Sequence, residues 1–222
     1  TMTGATAANY NITYVSGSLV VQPKLVQTIT FAAPATKTYG NADFATGGSS
    51  TNASIAVVYS SSNKAVATIV GTNVHIVGAG TADITASQVG SDVYAAATSV
   101  VRTLTVNKAA LKITADNKSK ITEQANPVLT VTYAGFVLNE TSAVLQTPTV
   151  TSTTAVTASL PGVYPITPSA ATAANYLISF VAGNLTVNPK NVQTITFAAP
   201  AVKSYGNADF AAGATSTNAS IP

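Results

Sequence analysis

The stretch VQTITFAAPATKTYGNADFA occupies residues 26–45, and VQTITFAAPAVKSYGNADFA occupies residues 192–211. The two copies are offset by 192 − 26 = 166 residues, and the match extends in both directions with that offset. Residues 1–56 therefore align with residues 167–222 without a gap, and 39 of the 56 positions are identical. A fixed period of this kind indicates a piece of a tandem array.

The repeated stretch has the alternation of a β-strand. Ile29 and Phe31 point to one side and the threonines between and before them point to the other. Tyr39-Gly40-Asn41 is a turn signal, because glycine and asparagine tolerate positive φ. About seven short strands with frequent turns follow up to residue 108, which is the pattern of an all-β sandwich. Since their flanking sequences are identical, Phe31 and Phe197 are predicted to be buried equivalently.

The composition limits the classes of function. Charged residues make up 8% of the 222 residues, and the net charge is +3. The chain has no cysteine, which excludes disulfides, thiolate zinc sites and cysteine nucleophiles. No apolar run approaches the roughly 18 residues that a membrane-spanning helix needs.

A lysine cluster lies at Lys108, Lys112, Lys118 and Lys120, interrupted by Asp116. It is predicted to be a solvated strand face, with a phosphate-binding patch as the alternative. No aromatic residues are interleaved there to stack on bases, so nucleic acid is not an expected partner.

The chain offers little for catalysis. His75 is the only histidine, and it alternates with Val74 and Ile76, which predicts an exposed strand residue rather than a triad member. The seven acidic residues are scattered along the sequence. Asp92 is predicted to cap a turn, with calcium binding there as the weaker alternative. They are Asp43, Asp83, Asp92, Asp116, Glu123, Glu140 and Asp209. We therefore predict no catalytic residue, no metal-binding residue, no cofactor and no enzyme activity.

One part of the chain resembles a known family of surface domains. KAVATIVGTNVHIVGAGTADITA, at residues 64–86, is similar to the bacterial immunoglobulin-like domains of group 2. The resemblance implies a bacterial Ig-like β-sandwich over residues 26–108.

A second part resembles the MBG repeats of large bacterial surface proteins. The matching stretches are LKITADNKSK at 111–120, ANPVLTVTYAGF at 125–136 and ATAANYLISFVAGNLTV at 171–187. MBG repeats usually carry Tyr-Gly just before Ala-Asn-Pro, at the places of Thr122 and Glu123 here. The implied fold is a second β-sandwich or a β-grasp-like sheet, with one short helical turn at residues 140–146.

Four segments follow from the period and these resemblances. They are the C-terminal end of a preceding MBG-like repeat at 1–23, an Ig-like domain at 26–108, an MBG-like domain at 109–189, and the N-terminal part of the next Ig-like repeat at 192–222. The linkers between them are short, which predicts an extended, semi-rigid rod.

The two end segments are predicted to be incomplete. In residues 1–23, Tyr10, Ile12 and Tyr14 alternate as a half-buried strand and turn back, through Gly17, into a second strand. An isolated hairpin is marginal in water. We therefore expect more of the same chain, or a neighbouring copy in a polymer, to complete it.

The resemblance and the tandem period together predict a structural role. The expected function is that of a repeat segment of a long, secreted bacterial surface protein at the cell surface or outside the cell, as an adhesin stalk, fibre or filament. The alternative is a multivalent module that binds carbohydrates or surfaces, with exposed tyrosines as contacts.

Overall fold

The computed structural model describes residues 4–199, 202–206 and 213–217. Apart from a single 3-10 turn, the regular secondary structure of these residues is β-strand, so the predicted all-β class is confirmed. The chain divides between Lys108 and Ala109 into two compact units, called here the first and the second unit.

The first unit contains nine described strands. These are β1 (Ile29–Thr30), β2 (Lys37–Thr38), β3 (Phe44–Ala45), β4 (Ser49–Ser50), β5 (Val58–Ser61), β6 (Ala67–Val70), β7 (Asn73–Ile76), β8 (Gly80–Ser87) and β9 (Val100–Asn107). They form a four-stranded sheet in the order β2-β9-β8-β5, a three-stranded sheet β3-β7-β6 and the pair β1-β4.

Period-two alternation correctly predicts the core of the first unit. Val74, Ile84 and Leu104 are almost fully buried on their strands, because apolar side chains at every second position share one face. Phe31 is 3% exposed and packs edge-to-face on Tyr59, with ring centroids 5.6 Å apart. The repeated stretch thus contributes a buried aromatic side chain to this core.

The second unit contains two sheets and a short pair. Its strands are β10 (Ala109–Ala115), β11 (Lys118–Ile121), β12 (Val131–Ala134), β13 (Val150–Thr153), β14 (Gly162–Ser169), β15 (Tyr176–Val181), β16 (Gly183–Asn188), β17 (Ile195–Phe197) and β18 (Ala214–Ser216). The sheets have the orders β12-β10-β15 and β11-β16-β14-β13, and β17 pairs with β18. The predicted helical turn is a 3-10 turn at Ser142–Val144.

The two sheets of the second unit bury their inward residues. Leu111 and Ile113 of β10, Ile166 of β14 and Leu185 of β16 are all fully buried. Two sheets with apolar inner faces are a sandwich-like arrangement, which favours the sandwich over the β-grasp alternative.

The four-stranded sheets of the two units follow one plan. β8 pairs with β9 from Gly80↔Val106, as β14 pairs with β16 from Gly162↔Val187. At the edges, β2 is parallel to β9 and β11 is parallel to β16, while β5 and β13 are antiparallel to β8 and β14. The units differ in the segment before β8 and β14. The first unit has the β6–β7 hairpin between β5 and β8, whereas the second unit has a shorter loop between β13 and β14.

Gly183-Asn184 has the sequence of a hairpin turn, but β15 and β16 do not pair with each other. β15 is parallel to β10 in the three-stranded sheet, whereas β16 lies between β11 and β14 in the four-stranded sheet. The chain therefore crosses from one sheet to the other at this point. A turn sequence predicts that the chain changes direction, but it does not identify the strand with which the next segment pairs.

The same error applies to the repeat-equivalent residues near the start of the chain. Residues 4–24 contain no strand, and Tyr10, Leu19 and Val21 are 80%, 90% and 82% exposed. Their equivalents in β15 and β16 are held by β10, β11 and β14, and not by each other. The two predicted strands of residues 4–24 therefore have no reason to pair with each other, because their equivalents pair only with other strands.

The prediction that Phe31 and Phe197 are buried equivalently is also wrong. β17 and β18 do repeat the register of β1 and β4, with Ile195↔Ser216 equivalent to Ile29↔Ser50. Phe197 is nevertheless 60% exposed. The ring that covers Phe31 belongs to Tyr59, which lies outside the segment 1–56 that recurs at residues 167–222.

Candidate functional site

His75 lies on the exposed face of β7, as predicted. Its Nδ1 is 2.7 Å from an Asp43 carboxylate oxygen, and both side chains are about half exposed. The pairing was not predicted, because 32 residues separate the two in sequence. An exposed pair of this kind contributes at most about 1 kcal/mol to stability.

The other acidic residues lie apart from one another. Asp83 accepts a hydrogen bond from Thr103, Glu123 pairs with Lys190, and Glu140 accepts one from Tyr176. At Asp92 the neighbouring turn is capped by the Ser91 hydroxyl. Within residues 4–199, 202–206 and 213–217, no three His, Cys, Asp or Glu residues are grouped to hold a metal. Asp209 lies outside the described residues.

The Asp116 carboxylate accepts hydrogen bonds from two threonine side chains. The hydroxyls of Thr130 and Thr132 donate to its carboxylate at 2.5 and 2.7 Å. These hydrogen bonds favour the charged form and lower the pKa of Asp116 below its ordinary value. Their stabilising effect is present above that ordinary value and is lost as the pH falls through the lowered pKa.

The lysine cluster does not form one solvated face, which corrects the prediction. Lys108 and Lys112 are exposed, and Lys112 is on β10 of the three-stranded sheet. Lys120, on β11 of the other sheet, is 6% exposed. Its Nζ donates to the backbone oxygens of Gln124 at 3.0 Å and Val156 at 2.6 Å. Lys120 therefore joins the end of β11 to the loop between β13 and β14.

The turn that follows β11 is built like the turn that follows β2. Thr122 N–H donates to Asn188 O, as Tyr39 N–H donates to Asn107 O, both at 2.9 Å. In the second unit Gln124 N–H closes the turn on Ile121 O, and the Gln124 side chain accepts from Ile121 N–H. In the first unit Asn41 makes the same two hydrogen bonds with Thr38.

The third residue of each turn has a left-handed backbone. Gly40 has φ 89° and Glu123 has φ 67°. A positive φ at this position and a negative φ before it define a type II turn, which favours glycine. Glu123 occupies the place where the MBG repeats that this region resembles usually carry glycine, and its backbone still adopts the left-handed conformation.

Replacing Glu123 with glycine is expected to raise the free energy of unfolding of the second unit by about 0.5–1 kcal/mol. Glycine removes the strain of a left-handed residue that carries a Cβ, which stabilises the turn. Part of this gain is offset by the greater freedom of glycine in the unfolded chain and by the loss of a weak, exposed ion pair. Urea unfolding with hydrogen exchange of the second unit would measure it. Glu123→Ala is the control, because it removes the carboxylate and keeps the strain. A Gly variant no more stable than the Ala variant would contradict the explanation.

A neutral cleft of about 560 Å³ lies in the first unit between the β3–β4 turn and residues 52–57. Its wall includes Tyr59, Asn52 and Thr72, and none of its lining residues is charged. Tyr39, one of the two tyrosines that recur in the repeat, is buried and unavailable as a surface contact. The cleft could accept an uncharged polar ligand through hydroxyl and amide groups.

Among the described residues, no helix is long and apolar enough to cross a membrane. No curated protein matches the chain. Residues 111–186 match the family model of the MBG domain (YGX type). The match begins within β10, ends within β16, and includes Lys120 and the turn at Glu123. MBG domains are repeat domains of bacterial surface proteins and are structural rather than enzymatic. Residues 111–186 of this chain are therefore an MBG domain of the YGX type.

Proposed function

We propose that the chain is a structural repeat segment of a long, secreted bacterial surface protein, working as an adhesin stalk or extracellular fibre. The observation that carries this proposal is the recurrence of one strand order and register in the four-stranded sheets of both units. Repetition of a structural module is the means by which a chain gains length. The MBG match in the second unit and the 166-residue period support the same role.

The strand pairing of the second unit suits a segment under tension. β10 begins the unit and is parallel to β15 over six residue pairs, from Ala109↔Tyr176 to Thr114↔Val181. β16 is the last strand of the four-stranded sheet along the chain and is parallel to β11 over four pairs. A pull applied before β10 and after β16 acts along these two strands, so their ladders are loaded in shear. Several hydrogen bonds must then yield together.

Replacing Ser179 with proline is expected to lower the force at which the second unit unfolds. Ala109 N–H donates to Asn175 O, and the parallel alternation then directs the N–H of Ser179 towards β10. Proline removes that donor, which costs about 1 kcal/mol or more in the ladder. Single-molecule force spectroscopy of the chain would measure the change.

The control is Ser179→Ala, which removes the exposed hydroxyl and keeps the N–H. It is expected to unfold at the unaltered force. Equal forces for the proline and alanine variants would show that the β10–β15 ladder does not resist tension. A second unit that extends without a distinct unfolding event would count against the stalk role itself.

A carbohydrate- or surface-binding module is the second candidate. The uncharged cleft beside Tyr59 favours it, because neutral hydroxyl and amide groups suit sugar hydroxyls. A glycan array with the full chain and a Tyr59→Ala variant tests this candidate. Binding that is lost with Tyr59 would support it, and no binding to any glycan would remove it.

A further inference from the structure

One wall of the cleft in the first unit, residues 52–57, has no strand structure and is held in place by buried amides. The side chain of Gln88 donates to the backbone oxygens of Asn52 at 2.8 Å and Ile55 at 2.5 Å. The Asn52 side chain donates in turn to the Gln27 side chain at 2.9 Å. Gln27, Asn52 and Gln88 are 3%, 5% and 2% exposed, so these hydrogen bonds are shielded from water. The wall is therefore fixed without a ligand, which lowers the entropy cost of binding one.

The Tyr59 side chain lines the same cleft and is also held in position. Its ring is half-buried and packs edge-to-face on Phe31, with centroids 5.6 Å apart. Within the described part of the chain, no group hydrogen-bonds to the Tyr59 hydroxyl. A tyrosine hydroxyl can both donate and accept a hydrogen bond, and so can the hydroxyl of a sugar. A ligand in the cleft can therefore use this group.

Gly48 provides the space that the Tyr59 hydroxyl occupies. A Cβ at residue 48 would lie 2.3 Å from the hydroxyl oxygen and 3.2 Å from the ring carbon that carries it. The backbone does not require a glycine, because Gly48 is not left-handed. In the second copy of the repeat the same position is Ala214, which pairs with Phe197 in the β17–β18 ladder. Since an alanine fits the backbone there, what glycine provides in the first unit is room for Tyr59.

We propose that Gly48 and Tyr59 determine the specificity of this cleft for a small, uncharged saccharide. The Tyr59 hydroxyl exchanges a hydrogen bond with a sugar hydroxyl, and Gly48 keeps it in the position where the two meet. The volume of about 560 Å³ is within the range of small-molecule sites. None of the lining residues is charged, so an ionised ligand group would lose its hydration without gaining a partner of opposite charge. This inference rests on the carbohydrate-binding candidate above and not on the stalk role.

The test is binding of the full chain to an array of neutral and acidic glycans, followed by titration calorimetry with the sugar that binds best. Tyr59→Phe removes only the hydroxyl and is expected to weaken binding about two- to tenfold, as for one hydrogen bond. Gly48→Ala is expected to weaken binding at least as much, because the displaced hydroxyl no longer meets the ligand. The matched control is Tyr94→Phe, which changes a tyrosine of the first unit outside the cleft and should leave binding unaltered.

The double variant Gly48→Ala, Tyr59→Phe tests whether residue 48 acts through the hydroxyl. It should bind like Tyr59→Phe alone, because the group that the alanine displaces is already absent. Additive losses would overturn the role of Gly48. Unchanged binding in both single variants, or tighter binding of acidic than of neutral glycans, would overturn the whole inference and leave a carbohydrate site elsewhere on the chain. Absence of binding to every glycan would remove the carbohydrate candidate itself, and this inference with it.

Discussion

Replacing Phe31 with alanine is expected to lower the free energy of unfolding of the first unit by about 3–5 kcal/mol. Phe31 is 3% exposed and packs edge-to-face on Tyr59. Truncating a buried phenylalanine loses its transfer free energy and leaves a cavity that the surrounding strands fill only in part. The hydrogen bond that the Arg102 side-chain Nε donates to the backbone oxygen of Phe31 does not involve the ring, so the loss reports the ring alone. Urea unfolding followed by hydrogen exchange of the first unit measures it.

The chain supplies its own control for this experiment in Phe197. The ten residues from 26 to 35 and from 192 to 201 are identical, but Phe197 is 60% exposed. Phe197→Ala is therefore expected to change stability by less than about 0.5 kcal/mol. A loss below about 1 kcal/mol for Phe31→Ala, or equal losses at both sites, would refute the contrast in burial described here.

Replacing Lys120 with methionine is expected to destabilise the second unit by about 1–3 kcal/mol. Methionine keeps the length and apolar stem of the side chain and removes the ammonium group. The oxygens of Gln124 and Val156 then lose a donor that lies 3.0 and 2.6 Å away. The end of β11 would then be joined to the loop before β14 by fewer hydrogen bonds, among them the one that the Thr122 hydroxyl donates to Ser159 O.

Lys112→Met is the matched control, because Lys112 is exposed on β10. It is expected to change stability by no more than about 0.5 kcal/mol. Hydrogen exchange should show the additional loss for Lys120→Met first in the residues around 122–124 and 156–159. If both variants behave alike, Lys120 is only a surface charge and the solvated-face interpretation is restored.

Local patterns predicted the strands and their inward faces well. The alternation of Ala82, Ile84 and Ala86 with polar residues, and of Leu111 and Ile113 with Lys112 and Thr114, corresponds to the observed burial. The exposure of His75 was also predicted from its neighbours alone. These predictions succeed because side-chain direction in a strand depends only on the parity of position.

The candidate site features were harder to predict, because they depend on residues distant in sequence. Nothing in the surrounding sequence shows that Lys118 is half-buried and that Lys120 is buried. The acceptors of Lys120 are backbone oxygens, of which the one at Val156 is 36 residues away, and backbone groups carry no sequence signature. The His75–Asp43 pair was missed for the same reason of distance.

The sequence by itself determined the 166-residue period, the all-β class, the inward faces of the core strands and the MBG character of residues 111–186. Only the tertiary structure decided which strands pair and which repeated residues are covered. Tyr176 and Tyr10, or Phe31 and Phe197, have nearly the same local sequence and opposite exposure. The reason is that strand identity is a property of a short segment, whereas burial requires a partner strand or ring from elsewhere in the fold.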